Sequence, residues 1–586
     1  MIGSGAGGAT AAWALARAGY EVTILEKGRN FFRRLDDPAG LGPPLFGGDE
    51  IRALRGFPGM DVEAEPRSFR TRAEAGEGVE RSYVGDVNAL PTTVGGGTTH
   101  WDAKTPRFWR MDFEMRSRFG PVSDADVVDW PFGYDELVPY YETIERVLGV
   151  AGDLEATPEF VRREMPRGPY PLPPGPPMYA SLVFKEGAER LGYRPHPIPE
   201  AICSRPYDGR PVCNNCGYCA GFGCPIHARG GAAVSLLRRA LLAGAVLRTR
   251  AMVTRIATAP NGRATHVHFL DSDQLRPETL PADHVILAAS AIESARLALL
   301  STGPAHSDGL GNRSGRVGCT LCFHVSTFVA GIFAQRLHAY RGRSCSHALL
   351  EACAPDTETH LGRWGGLPYL RGGIVEIGGS TNLIDEARLY DELPFFARGR
   401  HKSLMRSSPL RDRLLAAQML GEDLPQLSNR VDLDPAVRDI YELPVARVTY
   451  SLHRHDRLAS WLWGWKLRKI VKAAGAGRAF FYPAGLAWTD APQARNTRHL
   501  SGTLRMGTDP SRSVTDEFGR IHGAENVVVC DSAVFPTSGA FNPTLTLMAV
   551  ALRNATALAH GEAQARRGPA PSLAADLPAP LEVLGA

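Results

Sequence analysis

The 586-residue chain has no uncharged apolar run of the ~18 to 20 residues that a membrane-spanning helix needs, and its opening lacks the basic-then-apolar pattern of a secretory signal. No transmembrane segment is expected. It also lacks a sustained heptad pattern and any repeat with a period of roughly 20 to 50 residues, which excludes solenoids and propellers. Charge of one sign is scarce: 66 Lys and Arg against 62 Asp and Glu leave a formal +4. That balance gives no electrostatic case for nucleic acid as a partner. Ten cysteines are too few for a disulfide scaffold. Four of them nevertheless crowd between Cys213 and Cys224, and composition does not explain that. What the chain does have, 44 % hydrophobic and 22 % charged residues, is enough for one large or two medium domains.

The first chemistry-bearing segment is the opening, Ile2-Gly3-Ser4-Gly5-Ala6-Gly7-Gly8. It leads into a small-residue helix from Ala9 to Ala18, then an apolar strand from Tyr20 to Leu25 that ends at Glu26. In this strand, turn, helix, strand unit Gly3 permits the tight turn, Gly5 lets main chain approach a pyrophosphate, and Gly8 lets the helix pack on the sheet. Glu26 is placed to accept from a ribose hydroxyl. The strand before the glycines is only Met1-Ile2, so the natural start is expected to lie upstream. A second run, Val94-Gly95-Gly96-Gly97-Thr98-Thr99-His100-Trp101, lets main chain lie flat against a ligand, with hydroxyls to reach it. Asp283 to Ser294 reads as an apolar strand passing through small residues into a helix.

Near the other end stand His499-Leu500-Ser501-Gly502, a strand from Asn526 to Cys530 followed by Asp531, and Asn542-Pro543-Thr544 opening a helix from Leu545 to Ala559. Asn before Pro is a good N-cap followed by a good first helical residue. Taken alone, Asn542 reads as that cap and His499 as an ordinary loop histidine.

Together the glycines at 3, 5 and 8 with Glu26, the Val94 to Trp101 run, Ala288 to Ser294, and His499 through Asn542 resemble the glucose-methanol-choline (GMC) oxidoreductase family in order and spacing, and Leu424-Pro425 through Asn429 to Pro435 resembles that family's substrate-domain segment. The resemblance reaches about His560. It implies FAD, oxidation of an alcohol, and an α/β fold: a discontinuous, Rossmann-like FAD-binding domain (1–35, 85–110, 226–320 and 495–560) interleaved with a substrate domain built on an antiparallel sheet, with lid segments (36–84, 111–202 and 321–494). The remainder divides into a cysteine-rich loop, 203–225, and a mobile tail, 561–586.

Carried over by position, the family's base histidine falls on His499 and its second catalytic residue on Asn542. Cofactor contacts fall on Gly3, Gly5, Ala6, Gly8, Glu26, Gly95, Gly96, Gly97, Thr98, His100, Val253, Ala289, Asp531, Pro543 and Thr544. A neutral imidazole can take the hydroxyl proton, while Asn542 holds the same oxygen without adding charge. The segment Thr99-His100-Trp101 with Thr105-Pro106-Arg107-Phe108 is similar to that of pyranose 2-oxidases whose histidine is bonded to the flavin. FAD covalently held at His100 is therefore an expectation. Asp102 and Lys104 depart from that pattern.

Cys213, Cys216, Cys219 and Cys224, spaced C-x2-C-x2-C-x4-C-P, approach iron-sulfur spacing. They resemble the cysteine loop of bacterial FAD-dependent glucose dehydrogenases, though the spacing differs. An iron-sulfur cluster, a structural zinc, and disulfides or buried thiols tightening a loop all remain open. The expected activity is dehydrogenation of a sugar, glycoside or polyol, with electrons passed to a non-NAD acceptor: a cytochrome or quinone, by way of a small subunit. An oxygen-using oxidase and a redox-silent FAD-containing lyase are the alternatives. Location is expected to be cytoplasmic, or periplasmic by export together with a signal-bearing partner.

Overall fold

The computed structural model describes residues 1–37, 40–42, 64–71, 83–88, 90–219, 221–358, 360, 365–378, 399–408, 410–484 and 498–579. Most of the 36–84 lid segment therefore lies outside the described residues.

A mainly parallel sheet forms around the opening. Ile2 bridges Leu25 on one side and Leu287 on the other, both in parallel sense. Its N–H donates to the Ile286 carbonyl at 2.8 Å, and the Leu25 N–H to the Met1 carbonyl at 2.8 Å. Thr23–Leu25 pairs outward with Val246–Arg248, and Val285–Leu287 with Ala524–Val529. The first strand is thus a stub of Met1 to Gly3 that joins two halves of one sheet, whose strands come from well-separated parts of the chain.

Two helices pack beside this sheet. Ala6–Arg17 is short-chained and almost wholly buried, which lets it lie close to the sheet and against Thr544–His560. The close approach falls on Gly7: a Cβ there would stand 1.6 Å from the Cys530 carbonyl oxygen. Gly8, expected in that role, shares it: a Cβ there would meet the Gly3 carbonyl oxygen at 2.1 Å and the Ala288 Cβ at 3.4 Å. The second helix also departs from expectation. Its N-cap is Pro543, with no side-chain cap bond, so Asn542 does not cap it.

The other sheet has six strands in the order Arg478–Tyr482, Val325–Ile332, Leu414–Gly421, Gly373–Gly378, Cys345–Leu349, His196–Pro197, all antiparallel. Alternation sorts its faces. Val329, Val375, Ile377 and Met419 join Phe184, Leu467 and Val471, from helices Tyr179–Glu189 and Arg454–Ala473, in one core. Each such burial contributes about 1.5–3 kcal/mol. Ser326, Phe328, Glu376, Gln418 and Leu420 face the other way and line a cavity.

The segment after His560, expected to be a mobile tail, is docked as far as it is described. Leu573 and Ala565 are buried, Trp13 Nε1 donates to Asp576 Oδ2 at 2.8 Å, Arg17 pairs with the same carboxylate, and Arg146 donates to the Pro578 carbonyl at 2.9 Å. Among the described residues no helix is long and apolar enough to cross a membrane.

Candidate active site

Between the two sheets lies a cavity of ≈ 750 Å³. Gly3, Gly5, Ala6, Glu26, Gly96, Gly97, Thr98, His100, Val253, Ala289, Asp531, Pro543, Thr544, His499 and Asn542 all stand on its wall. Two expected contacts, Gly8 and Gly95, do not. Gly8 sits behind Gly3, and Gly95 (φ +87°) closes its turn with its N–H donated to Ser4 Oγ at 3.1 Å.

The nucleotide end is a cradle without side chains. Gly5 and Gly96 meet back to back, a Cβ on Gly96 falling 3.0 Å from the Gly5 Cα. Gly3 holds φ +95°, which favours glycine. Beside them Glu26 Oε2 accepts from the Ser4 N–H (2.9 Å) and Oγ–H (2.6 Å), and Oε1 accepts from the Gly28 N–H (2.8 Å). Those bonds orient the carboxylate and occupy Oε2 twice, while Oε1 keeps a second lone pair for a further donor. Asp531, pushed up to about 6 by burial, accepts from Ser290 N–H at 3.0 Å and from Ser294 Oγ. Ser290 itself has a strained φ of +78° and a buried, unpartnered Oγ. A bare glycine floor, a helix N-terminus and an oriented acid fit the pyrophosphate and ribose of FAD.

At the reacting end His499 is tied to His324, their Nδ1 atoms 3.1 Å apart. Burial lowers the His499 imidazole to about 4, with Asp102 raising and Lys104 lowering it by less. It is therefore neutral at ordinary pH. Asn542 Nδ2 donates to Glu376 Oε1 at 3.0 Å, and its Oδ1 is buried without a partner. Glu376 in turn receives the buried Lys104 ammonium, which also pairs with Asp102. Burial works against charge on Lys104, yet the two carboxylates hold it well above its usual range. Burial lifts Asp102 as well, but Lys104 more than offsets it and the carboxyl stays below its usual range. One ammonium shared by two carboxylates leaves Glu376 raised by burial.

His100 is 2 % exposed, and its Nδ1 lies 2.6 Å from Thr99 Oγ1. That hydroxyl spends its hydrogen on the Gly96 carbonyl at 2.8 Å. His100 Nδ1 must therefore donate, and Nε2 is the lone-pair nitrogen.

The cysteine loop does not fit a cluster or a zinc ion. Among the described residues no group of three or more His, Cys, Asp or Glu side chains could hold a metal, and all ten cysteines are free thiols. Cys216 is exposed while Cys213 and Cys219 turn toward the core. Burial pushes the Cys219 thiol up to about 12. The loop instead closes over the cavity: the Gly221 N–H donates to the His100 carbonyl at 2.9 Å, and Arg229 binds the carbonyls of Cys219, Thr99 and Phe222.

Sequence reasoning did not find His324, Glu376, or the pairing of Asp102 with Lys104. Glu376 lies on an otherwise apolar strand, Gly-Ile-Val-Glu-Ile-Gly, and a lone charge in such a strand is the signal that was available.

Comparison with known proteins gives consistent matches. Residues 128–326 and 425–551 match the N- and C-terminal profiles described as GMC oxidoreductase, and residues 1–37 match an NAD(P)-binding Rossmann-like domain. The chain is 32 % identical to 6'''-hydroxyparomomycin C oxidase of Streptomyces lividus, over 95 % of this chain and 90 % of the relative. It is 30 % identical to 2-methyl-1,2-propanediol dehydrogenase of Mycolicibacterium austroafricanum (94 % and 93 %) and 29 % identical to the fructose dehydrogenase large subunit of Gluconobacter japonicus (79 % and 80 %). Pyridoxine 4-oxidase from Mesorbium loti shares the fold, with a TM-score of 0.60 at 18 % identity over 97 % of this chain and 98 % of that one.

Proposed function

The chain belongs to the GMC oxidoreductase family of FAD-dependent enzymes that act on alcohols, and from that membership we propose that it oxidises a carbinol of a sugar, glycoside or polyol, with His499 as the base. The observation that carries this reading is the placement of His499 and Asn542 on one cavity wall with the glycine cradle. Gly3, Gly5, Ala6, Glu26, Gly96 to Thr98, Val253, Ala289 and Asp531 would hold the FAD. Bound FAD supplies a two-electron acceptor for the hydrogen on the carbinol carbon. His499, kept neutral by burial, accepts the hydroxyl proton. Asn542, fixed by Glu376, holds the substrate oxygen so that the carbon is presented in one orientation. Thr544–His560 directs its positive end into the same space, where negative charge is stabilised. The Cys213 to Cys224 loop excludes water from one side.

The His100 lone pair on the cavity wall supports a covalent attachment of FAD there. Acid denaturation that leaves flavin on the protein is the expected result, and release of all flavin contradicts it. The electron acceptor is read as a partner protein or quinone, since one relative is named a large subunit. Oxygen is the second reading, favoured by the relatives named 6'''-hydroxyparomomycin C oxidase and paromamine 6'-oxidase. An anaerobic screen of sugars, amino sugars and polyols, followed by turnover with a quinone dye beside peroxide assay in air, tests both. Dye turnover without peroxide is expected, and peroxide at the dye rate supports the oxidase. Export together with a signal-bearing partner fits a large-subunit role, and cell fractionation tests it.

A further inference from the structure

One buried imidazole beside the cavity has no part in the chemistry above. His324 immediately precedes strand Val325–Ile332, is 1 % exposed, and meets His499 edge to face with ring centroids 5.0 Å apart and an 85° interplanar angle. Its Nδ1 lies 3.1 Å from His499 Nδ1, and its Nε2 lies 3.1 Å from the Gly539 carbonyl oxygen.

Two like nitrogens at hydrogen-bond distance cannot both donate or both accept. The Gly539 carbonyl decides between them, because a carbonyl oxygen only accepts. His324 Nε2 must therefore carry a hydrogen, and a neutral His324 presents its lone pair at Nδ1. His499 then donates from Nδ1, and the lone pair of neutral His499 is left on Nε2. We propose that His324 is a positioning residue that sets the tautomer of His499, fixing its hydrogen on Nδ1 so that Nε2 is the nitrogen that accepts the alcohol proton. The proposal rests on the reading of His499 as the base.

Neutrality of both rings follows from their surroundings. His324 is held well below the usual histidine range by burial, then by His499 and the Arg371 guanidinium. His499 faces Asp102 and Lys104, whose opposite charges act on it in opposite directions. When Nε2 takes the substrate proton, the Nδ1–H bond to His324 persists and becomes charge-assisted, which steadies the imidazolium as it forms. A third group that holds a catalytic imidazole in the productive tautomer is an established way to activate a base.

The test uses FAD-loaded protein with 15N-labelled histidine, its ring signals assigned by loss in His499→Asn and His324→Asn. Long-range 1H–15N spectra are expected to show His499 as the neutral Nδ1–H tautomer and His324 as Nε2–H. His324→Leu, which removes the acceptor, is expected to slow anaerobic flavin reduction by about a hundredfold while the apparent Kd for the alcohol changes only a few-fold. His324→Asn, whose Oδ1 restores an acceptor, is expected to recover most of that loss. A wild-type His499 in the Nε2–H form overturns the proposal, as does a His324→Leu rate equal to wild type. If His324→Leu does not fold, the wild-type spectrum and the His324→Asn rate decide. A His499→Asn variant that reduces flavin at the wild-type rate removes the base reading itself, which separates that failure from failure of the tautomer assignment.

Discussion

At the scale of single residues, the site depends on Lys104 as much as on His499. Its ammonium is shared by Asp102 and Glu376, and Glu376 is what holds Asn542. Lys104→Met leaves two carboxylates without a counter-charge and is expected to cost about 3–5 kcal/mol, read as a lowered thermal midpoint. The double variant Lys104→Met/Glu376→Gln should recover part of that loss. His499 yields a pH prediction. A base works only when unprotonated, and burial holds this imidazole at about 4. The rate constant for anaerobic flavin reduction should therefore stay level on going from pH 8 down to about pH 5, falling only as His499 protonates near pH 4. A fall centred near 6.5 would mean an ordinary, unburied histidine. Motif and order single out His499 and Asn542, and both stand on the cavity wall. The Lys104 to Glu376 pair was not legible, since its members lie 272 residues apart and only the fold brings them together.

At the scale of elements, the cavity exists because one helix lies unusually close to its sheet and the other sheet leaves one face uncovered. Gly7→Ala is expected to push Ala6–Arg17 away from Cys530, a Cβ having only 1.6 Å to fit in, and to yield protein that binds FAD at least tenfold more weakly in a flavin-fluorescence titration. Retention of full affinity would mean that the cradle tolerates a shift of its helix. The glycine turn, the helix after it and the acid at Glu26 could all be read from spacing. The part that Gly7 shares with Gly8 could not, because it depends on where the helix crosses a strand from the far end of the chain. Asn542 misled for a similar reason: Asn-Pro is a capping pattern, but Glu376, from the opposite sheet, takes its amide.

At the scale of the whole molecule, the segment after His560, as far as it is described, docks on the first helix. Asp576 accepts from Trp13 and pairs with Arg17 on the first helix, so Asp576→Ala should cost about 1–3 kcal/mol and lower the thermal midpoint by a few degrees, with alcohol oxidation unchanged once FAD is saturating. Low-complexity composition made this segment read as loose, and composition carries no trace of a docking partner more than 550 residues away. The interleaving of the two sheets, by contrast, was legible through the order of motifs along the chain. The most direct test of the account is anaerobic mixing of FAD-loaded protein with a panel of sugars and polyols, followed by flavin absorbance, for wild type and His499→Asn. The account predicts bleaching by at least one carbinol in wild type and a rate at least a hundredfold lower in the variant. Flavin that stays oxidised with every alcohol, or a variant that bleaches as fast as wild type, would contradict it.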